Sequence, residues 1–534
     1  MAENGHIFSN GCDRNPDLAA LQDLLLYCLI GLSQVSIEAE RFGIKLRDIN
    51  AFIVKAIIST QACMRFDTQQ FIELIQQTVI LREQFKKKIS MTGKNVILSS
   101  GPVIFEPGST MDELIKQGNS AGSIGCFEEN KNILSLKRIL LLGITDVAAN
   151  TVHAQSLGWE KDSVYKYIVK GLAAIQRNDL EMDDWVDVLL ECGKAATLIM
   201  ELLDEAQTET FGHPMPIQVP IGNRKGKGIL VSGSGLKELE ALLKQTKDRG
   251  IYVYSHGEMI LAHGYPELKK YSHFYGHYGI GGQNQARAFA DFPGAILMTT
   301  NYLQPSKEAF RQKLFTVGLA QQIGTPHIAD MNFQPVINRA LAFPGFMNDQ
   351  VYGKMTVEFV REKMTGLSDK VIDLLKREKI RHLYIVAGCR NLGFNRTFLN
   401  EFVNNLPADC IMMTLNCGRF NLFTKNQEKF KSKTRPNEFG QCIDTYSAIQ
   451  TALSLSTALD ADVQNLPLSV IHSWYGQRVV SLLLASAYKG VPSLCLTPAL
   501  PAFITPTALQ FLIKKFNIMP VETPEAAICH TSVS

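Results

Sequence analysis

The alternation of short apolar runs and helical segments in the C-terminal part of this chain constrains its fold most. Strands that alternate with helices form parallel sheets with crossover helices, and seven such strands indicate two α/β domains rather than one. We place the boundary between the two domains near residue 352, before a helical segment that begins at Met355. The predicted strands are Gly228–Val231, Ile251–Tyr254, Ala295–Thr300, Leu383–Val386, Ile411–Leu415, Leu468–Ile471 and Ser493–Leu496.

The N-terminal part of the chain, from residue 16 to about residue 207, has the apolar spacing of helices. Leu18, Leu21, Leu25 and Leu29 follow a helical period behind Pro16. Several such segments in succession predict a packed helical bundle. A stretch rich in Gly, Ser and Pro predicts an irregular insert at about 90–134, and a Pro-rich stretch from 208 to 228 predicts a linker. The predicted domains are therefore a helical bundle at 1–224 and α/β domains at 225–352 and 353–534.

Composition excludes several classes of function. The 534 residues carry a formal net charge of +3, which gives no electrostatic reason to expect a nucleic-acid or membrane partner. The longest apolar runs, such as Leu24–Leu32, are too short to span a bilayer, and no secretory signal is visible. The eleven cysteines include no close C-x-x-C pair, which favours free thiols or metal ligands over disulfides. We expect a cytoplasmic protein.

The segment 252–279 holds four of the eleven histidines and Glu258. Glu258 follows a predicted strand, in a loop that we expect to begin at Ser255. Ligands of open α/β sheets bind at the carboxyl ends of strands, and a carboxylate there suits a metal. The alternative is that the histidines and aromatic residues only pack at a domain junction. His273 and His277 could share a helix face, but nearby glycines argue against a helix and favour packing.

Polar or thiol side chains follow most of the other predicted strands. If these strand ends converge, three thiols and the Glu258 carboxylate could hold an iron–sulfur cluster or zinc. The spacing between the cysteines is too long to form a local fingerprint, so three buried free cysteines remain the alternative. The residues are Ser234, Tyr302, Cys389, Cys417 and Cys442.

A nucleotide site is a further hypothesis. The segment Ile229–Glu240 has the pattern of a strand, a Gly-x-Gly turn and a helix. The third glycine of the dinucleotide fingerprint is missing, because Glu238 stands at its position.

Several long motifs resemble the hybrid-cluster (prismane) family, whose members are hydroxylamine reductases. The motifs are Asp17–Leu25, Lys225–Gly233, the segment 252–279, Asp291–Asn301, Gly440–Gln450, Ser473–Tyr475 and Leu500–Phe503. The resemblance implies a helical N-terminal domain, two Rossmann-like α/β domains and a buried iron–sulfur–oxygen cluster at their junction. It also implies a four-iron cluster near the N-terminus, a small nitrogen-oxide substrate, a redox partner and a monomer or homodimer.

Four residues match ligands of the family's hybrid cluster. Glu258 matches the bridging carboxylate, and Cys389 matches the cysteine that carries a persulfide on the cluster. The resemblance therefore implies a catalytic role for both residues. Cys417 and Cys442 match two further thiolate ligands.

Other ligand positions differ from the family's pattern. Ser234 stands where the family has a histidine, Tyr302 where it has a cysteine, Gly476 where it has a glutamate and Arg478 where it has a lysine. At the N-terminus only Cys12 matches one of the family's clustered cysteines. One cysteine cannot hold a four-iron cluster, which needs about four ligands, so we expect that cluster to be absent.

These substitutions lead to two functional hypotheses. The first is a divergent, degenerate family member, either a pseudoenzyme or a protein with an altered metal site, in which the remaining ligands bind a smaller cluster or a single metal. The alternative is an active oxidoreductase that reduces hydroxylamine or nitric oxide-type species at a modified iron–sulfur cluster.

Overall fold

The computed structural model describes most of the chain. The described residues are 16–60, 68–93, 101–122, 128, 130–279, 285–300, 308–322, 324–357, 367–377, 379–387, 393–415, 437–438, 445–472, 477–491, 494–496 and 500–529. The protein has a mixed α/β architecture of two compact units with parallel sheets. The first unit joins the N-terminal region through Leu203 with Gly476–Tyr488 and Pro501–Lys515. The second consists of Asp204–Tyr475, Lys489–Leu500 and Phe516–Ser534.

The first unit is helical, as the apolar periodicity predicts. Its longest apolar helix starts with Pro16, whose fixed φ suits a first turn, and has Asp17 near the positive end of the helix dipole. This helix is long and apolar enough to cross a membrane, but 89% of its most apolar window is buried inside the protein, which is typical of a core helix. The N-terminal helices are α1 (Pro16–Arg41), α2 (Arg47–Ser59), α3 (Thr68–Ser90), α4 (Met111–Gln117), α5 (Lys131–Ser156), α6 (Asp162–Ala174) and α7 (Asp184–Phe211), the last of which continues into the second unit.

The stretch predicted to be an irregular insert contains regular structure. A 3₁₀ turn at Gly101–Val103 precedes α4, and a π turn at Gly118–Gly122 follows it. A capping box begins α4, because the Thr110 side chain accepts from the Glu113 N–H and the Glu113 carboxylate accepts from the Thr110 N–H. The buried Arg82 also donates to two backbone carbonyls of residues 102 and 105, each at 2.7 Å. The prediction of irregular structure was therefore wrong for residues 101–103 and 111–122, whereas the described residues 104–110 between them are irregular.

Two C-terminal helices complete the helical unit. The serine at position 481 donates a hydrogen bond to the buried Asp146 carboxylate of α5, and the Thr505 hydroxyl donates to Asn132 Oδ1 at 2.6 Å. The sequence pattern did not predict that helices following strands of the second sheet would belong to this unit. These helices are α16 (Gln477–Tyr488) and α17 (Pro506–Phe516, in the unit through Lys515).

The first sheet of the second unit has eight strands in the order β7-β6-β5-β2-β3-β4-β1-β8. Its neighbouring strands are parallel, except that β1 and β8 are antiparallel. The strands are β1 (Ile217–Asn223), β2 (Lys227–Ser232), β3 (Ile251–His256), β4 (Phe274–His277), β5 (Ala295–Met298), β6 (Leu314–Val317), β7 (His327–Ile328) and β8 (Gln350–Val357). The helices of this region are α8 (Leu236–Thr246), α9 (Pro266–Lys269), α10 (Gln285–Asp291), α11 (Glu308–Arg311) and α12 (Gln334–Ala342).

The second sheet has six strands in the order β11-β10-β9-β12-β13-β14, and all its described pairs are parallel. One face of the sheet packs in an apolar cluster with Phe398 and Phe402. The strands are β9 (His382–Ala387), β10 (Cys410–Leu415), β11 (Asn437–Glu438), β12 (Leu468–His472), β13 (Leu494–Leu496) and β14 (Ile518–Pro520). The remaining helices are α13 (Leu367–Lys376), α14 (Gly393–Asn405), α15 (Thr445–Leu459) and α18 (Pro524–Cys529).

All seven predicted strands are present, but three details of the prediction were wrong. The predicted linker at 208–228 contains β1, which pairs with β8 along its length. No helix begins at Met355, because that residue lies within β8. The predicted loop from Ser255 is the end of β3, which continues to His256. The division into domains at residues 224 and 352 stays a prediction.

Candidate functional site

Ser234 lies in a closed hydrogen-bond network at the carboxyl end of β2. Its backbone N–H donates to Thr300 Oγ1 at 2.7 Å, and the two hydroxyl oxygens are also 2.7 Å apart. The next N–H, that of Gly235, donates to Thr299 Oγ1 at 3.0 Å. Ser234 is only 1% exposed. This serine therefore anchors the turn after β2 to the end of β5.

Glu258 is located one residue into a short 3₁₀ helix, Gly257–Gly264, that follows β3 directly. Gly257 has a φ of +58°, a left-handed conformation that glycine adopts without strain, and it turns the chain away from the strand. Glu258 is half-buried beside the fully buried Met259. The carboxylate therefore occupies the edge of the first sheet at which ligands of parallel sheets bind.

The buried histidines near Glu258 are held by hydroxyl groups. Ser255 Oγ lies 3.0 Å from His263 Nε2 and 3.0 Å from His277 Nδ1. His263 also hydrogen-bonds the Gly276 backbone, and its burial lowers its pKa to about 3. At neutral pH His263 is therefore an uncharged ring held by Ser255 and the backbone of β4.

The remaining two histidines of this segment also have packing roles. His256 Nδ1 lies 2.8 Å from Ser232 Oγ, and His273 Nε2 lies 2.9 Å from Thr246 Oγ1. His273 immediately precedes β4 and His277 ends it, so the two do not share a helix face. The packing interpretation is therefore confirmed for His273. Across the described ranges, no group of three or more His, Cys, Asp or Glu side chains could hold a metal ion.

The predicted thiol ligands, Cys389, Cys417 and Cys442, lie outside the described residues. The strands before the first two are described: β9 ends at Ala387 and β10 ends at Leu415, and these two residues are paired in register. The chain therefore enters both cysteine segments at one edge of the second sheet. Tyr302, Gly476 and Cys12 also lie outside the described residues, and Arg478 is the second residue of α16.

Three of the four cysteines whose side chains are described are core residues and do not add to this set. Cys28 and Cys192 are fully buried within helices, and Cys495 is buried within β13. Burial raises the pKa of each of these three thiols to about 12, so they stay protonated at neutral pH. They are apolar core residues rather than metal-binding thiolates.

Sequence reasoning overlooked His472, the last residue of β12. Its Cα pairs with that of Ala387 on one side and that of Leu496 on the other. It is fully buried, and burial lowers its pKa to about 4. The available signal was a histidine placed directly after the apolar run Leu468–Ile471, where a strand end is expected.

The Glu238 side chain occupies the space beside the Gly-x-Gly turn that follows β2. A Cβ built on Gly235 would lie 2.3 Å from Glu238 Oε2, so the Glu238 carboxylate packs against the turn at the start of α8. Burial raises the pKa of this carboxyl group. A side chain at this position competes with a phosphate for the N–H groups of the turn, and the nucleotide hypothesis gains no support.

Comparison with known proteins identifies the family. Residues 9–528 match the Prismane/CO dehydrogenase family. This chain belongs to that family. It is 43% identical over 522 residues to the hydroxylamine reductase of Methanocella arvoryzae, a match that covers 98% of this chain and 96% of the relative. It is 44% identical over 515 residues to the hydroxylamine reductase of Syntrophobacter fumaroxidans, with 96% and 95% covered.

The structural relatives share the prismane fold at much lower identity. The structure of carbon monoxide dehydrogenase IV from Carboxydothermus hydrogenoformans matches with a TM-score of 0.58 and 11% identity, over 97% of this chain and 88% of that chain. This likeness concerns the fold alone. The family relationship predicted from the motifs is confirmed, whereas identities of 43–44% give no support to describing the chain as a divergent member.

By its chemistry, the donor set fits an iron–sulfur centre. Three cysteine thiols and the Glu258 carboxylate are ligand types that such centres use, and buried His472, the last residue of β12, is a further imidazole donor. The absence of a four-iron cluster near the N-terminus stays a prediction. Cys12 has no cysteine neighbours in sequence, and the next cysteine along the chain, Cys28, is a buried protonated thiol.

Proposed function

We propose that this chain is a hydroxylamine reductase homologue with an altered metal centre and no N-terminal four-iron cluster. An iron–sulfur(–oxygen) cluster or a single metal is held by Cys389, Cys417, Cys442 and Glu258. The protein does not reduce hydroxylamine by the route that its relatives use. The observation that carries this proposal is the network around Ser234, whose hydroxyl is hydrogen-bonded to Thr300 at the position of a ligand histidine.

The chemistry of the substituted residues supports the altered centre. A serine hydroxyl rarely loses its proton at neutral pH, so it is a poor substitute for an imidazole ligand. The Thr300 hydroxyl also stabilises Ser234 as a neutral hydrogen-bonding group. Gly476 offers no side chain to a metal, and Arg478 cannot deliver a proton as a lysine can, because the arginine guanidinium keeps its proton in proteins. The bound centre would supply electrons and an open metal position, while Cys389 and Glu258 would bind it and orient it.

A second candidate is an active oxidoreductase that reduces hydroxylamine or a nitric oxide-type species at the modified cluster. Identity of 43% with a hydroxylamine reductase over 98% of the chain favours it. Reduction of hydroxylamine to ammonia and water consumes two electrons and two protons, so this candidate needs a reduced electron donor.

For both candidates we expect a cytoplasmic protein without nucleic-acid or membrane partners. A homodimer is the assembly that we propose to test.

One experiment separates the two candidates. The chain and the Methanocella arvoryzae hydroxylamine reductase would be purified anaerobically from the same iron-replete host. Iron, acid-labile sulfide and hydroxylamine turnover with a reduced viologen dye would then be measured for both. We expect iron and sulfide in this chain in smaller amounts than in the relative, with no turnover above the background of the dye.

Restored variants provide the matched control for that comparison. Ser234→His, Gly476→Glu and Arg478→Lys together return three family residues to the site. If the substitutions explain the lost activity, turnover appears in the triple variant and not in the parent chain. Turnover by the parent chain at the rate of the relative would instead establish the second candidate.

A further inference from the structure

His472 differs from the other buried histidines of its sheet in its hydrogen bonding. Neither of its ring nitrogens has a hydrogen-bond partner among the residues that the structure describes. The side chain has 0% exposure. His382, on the neighbouring strand β9, is also buried, but its Nε2 lies 2.9 Å from Ser469 Oγ. The anomaly therefore concerns His472 itself rather than the environment of this sheet in general.

Because the described residues offer no partner to either ring nitrogen, His472 is available to contact a bound group. A neutral imidazole carries one N–H donor and one lone-pair acceptor, and each costs free energy when it is buried without a partner. Burial lowers the pKa of His472 to about 4, so the ring is neutral at pH 7. A neutral ring presents an unprotonated nitrogen, which is the form that binds metals.

The position of His472 indicates which group that is. It ends β12, the strand that pairs with β9, and its Cα lies in register with that of Ala387. Two residues after Ala387 comes Cys389, the cysteine that matches a cluster ligand. The histidine therefore lies at the same edge of the sheet as the entrance to the first cysteine segment.

We propose that a ring nitrogen of His472 binds the metal centre at this edge and replaces the imidazole that is missing at Ser234. This proposal rests on the proposed function in one respect, namely that a metal centre is bound. It does not require that the centre turns over hydroxylamine. The relocated nitrogen would come from the second sheet, whose strands β9 and β10 precede the first two cysteines in the sequence.

The first test compares the stability of two matched variants. His472→Leu removes the buried nitrogens that have no partner in the described part of the chain, and His382→Leu removes a nitrogen that is hydrogen-bonded to Ser469. In metal-free protein prepared with a chelator, we expect His472→Leu to keep or raise the Tm, whereas His382→Leu lowers it. In anaerobically purified protein, His472→Leu should lose at least half of the iron and the Tm increase that the metal provides, while His382→Leu keeps its iron.

The second test detects the metal–nitrogen bond directly. The protein is labelled with ¹⁵N-histidine, and the hyperfine coupling of nitrogen to the iron centre is measured by pulsed EPR in its paramagnetic state. The coupling should be present in the parent chain and in His382→Leu, and absent in His472→Leu. An iron centre without histidine coupling, an unchanged iron content in His472→Leu, or a fall in the Tm of its metal-free form would each overturn the proposal.

The same experiments distinguish failure of the His472 proposal from failure of the proposed function. Histidine coupling together with hydroxylamine turnover at the rate of the relative would sustain His472 as a ligand and refute the loss of activity. Absence of coupling in an inactive, iron-loaded protein would refute the role of His472 alone. A protein that binds neither iron nor another metal would refute both.

Discussion

Substitution of Gly193 by alanine tests how α16 is attached to the helical unit. A Cβ at Gly193 would lie 2.1 Å from the backbone oxygen of Leu484 and 3.0 Å from Tyr488 Cβ. The nearest atom belongs to the backbone of α16, so no side-chain rotation relieves the contact, and the two helices must separate by about 1 Å to reach an ordinary van der Waals distance. Overpacking of this kind costs about 1–3 kcal/mol.

The expected net effect is smaller than the cost of the clash. Alanine is a better helix former than glycine by about 1 kcal/mol, which offsets part of the cost. Because the contact is with backbone, we place the clash in the upper part of its range and expect Gly193→Ala to lower the free energy of unfolding by about 1–2 kcal/mol. The change should shift the midpoint of guanidinium unfolding, followed by circular dichroism, without changing the slope of the transition.

Gly171 provides a matched control in another helix of the same unit. A Cβ at Gly171 would lie 2.7 Å from Ile144 Cδ1, the end of a flexible side chain. We expect Gly171→Ala to be neutral or stabilising by up to about 1 kcal/mol, since the helix gains propensity and Ile144 can rotate. If Gly193→Ala proves as stable as Gly171→Ala, the close packing of α7 on α16 is refuted.

Three further predictions concern polar groups in the core. Because burial lowers the pKa of His263 to about 3, against about 6.5 when unfolded, its stabilisation is present above pH 6.5 and is lost as pH falls toward 3. His263→Gln should therefore flatten the dependence of Tm on pH between 7 and 4. Thr300→Val should lower the free energy of unfolding by about 1–3 kcal/mol, because the Ser234 N–H loses its acceptor, while Thr300→Ser should change it much less. Arg82→Met should leave two carbonyls without their donor and speed amide exchange in residues 101–105 relative to Arg82→Lys, so equal exchange in both variants would contradict the anchoring role.

The sequence predicted the buried parallel strands well because they are continuous apolar runs flanked by polar turns. It missed β1, in which Pro220 interrupts the pattern. This strand pairs with β4 only at Ile221, so a residue without an N–H is tolerated there. It also missed β8, whose exposed Val351 and Tyr352 show no buried face, as is common for an edge strand.

The candidate site was predictable only in part, for a different physical reason. Glu258 could be found because it follows a strong strand signal in the sequence. The partner of Ser234 is Thr300, which lies 66 residues away, and no local pattern reports a contact at that separation. The same limit applies to α16, whose Ser481 contacts Asp146 across 335 residues. Such contacts depend on the packing of whole elements, which apolar periodicity does not specify.

The two sheet edges differ in how their polar groups are hydrogen-bonded. At the edge of the first sheet, the polar groups after β2 and β5 are hydrogen-bonded to one another through Ser234 and Thr300. At the edge of the second sheet, His472 has no such partner within the described residues, and the cysteine segments begin beside it. The apolar cores of both sheets do not depend on these polar groups. If the proposed function and the role of His472 hold, a ligand at the first edge would be replaced by one at the second without a change in the apolar packing that determines the fold.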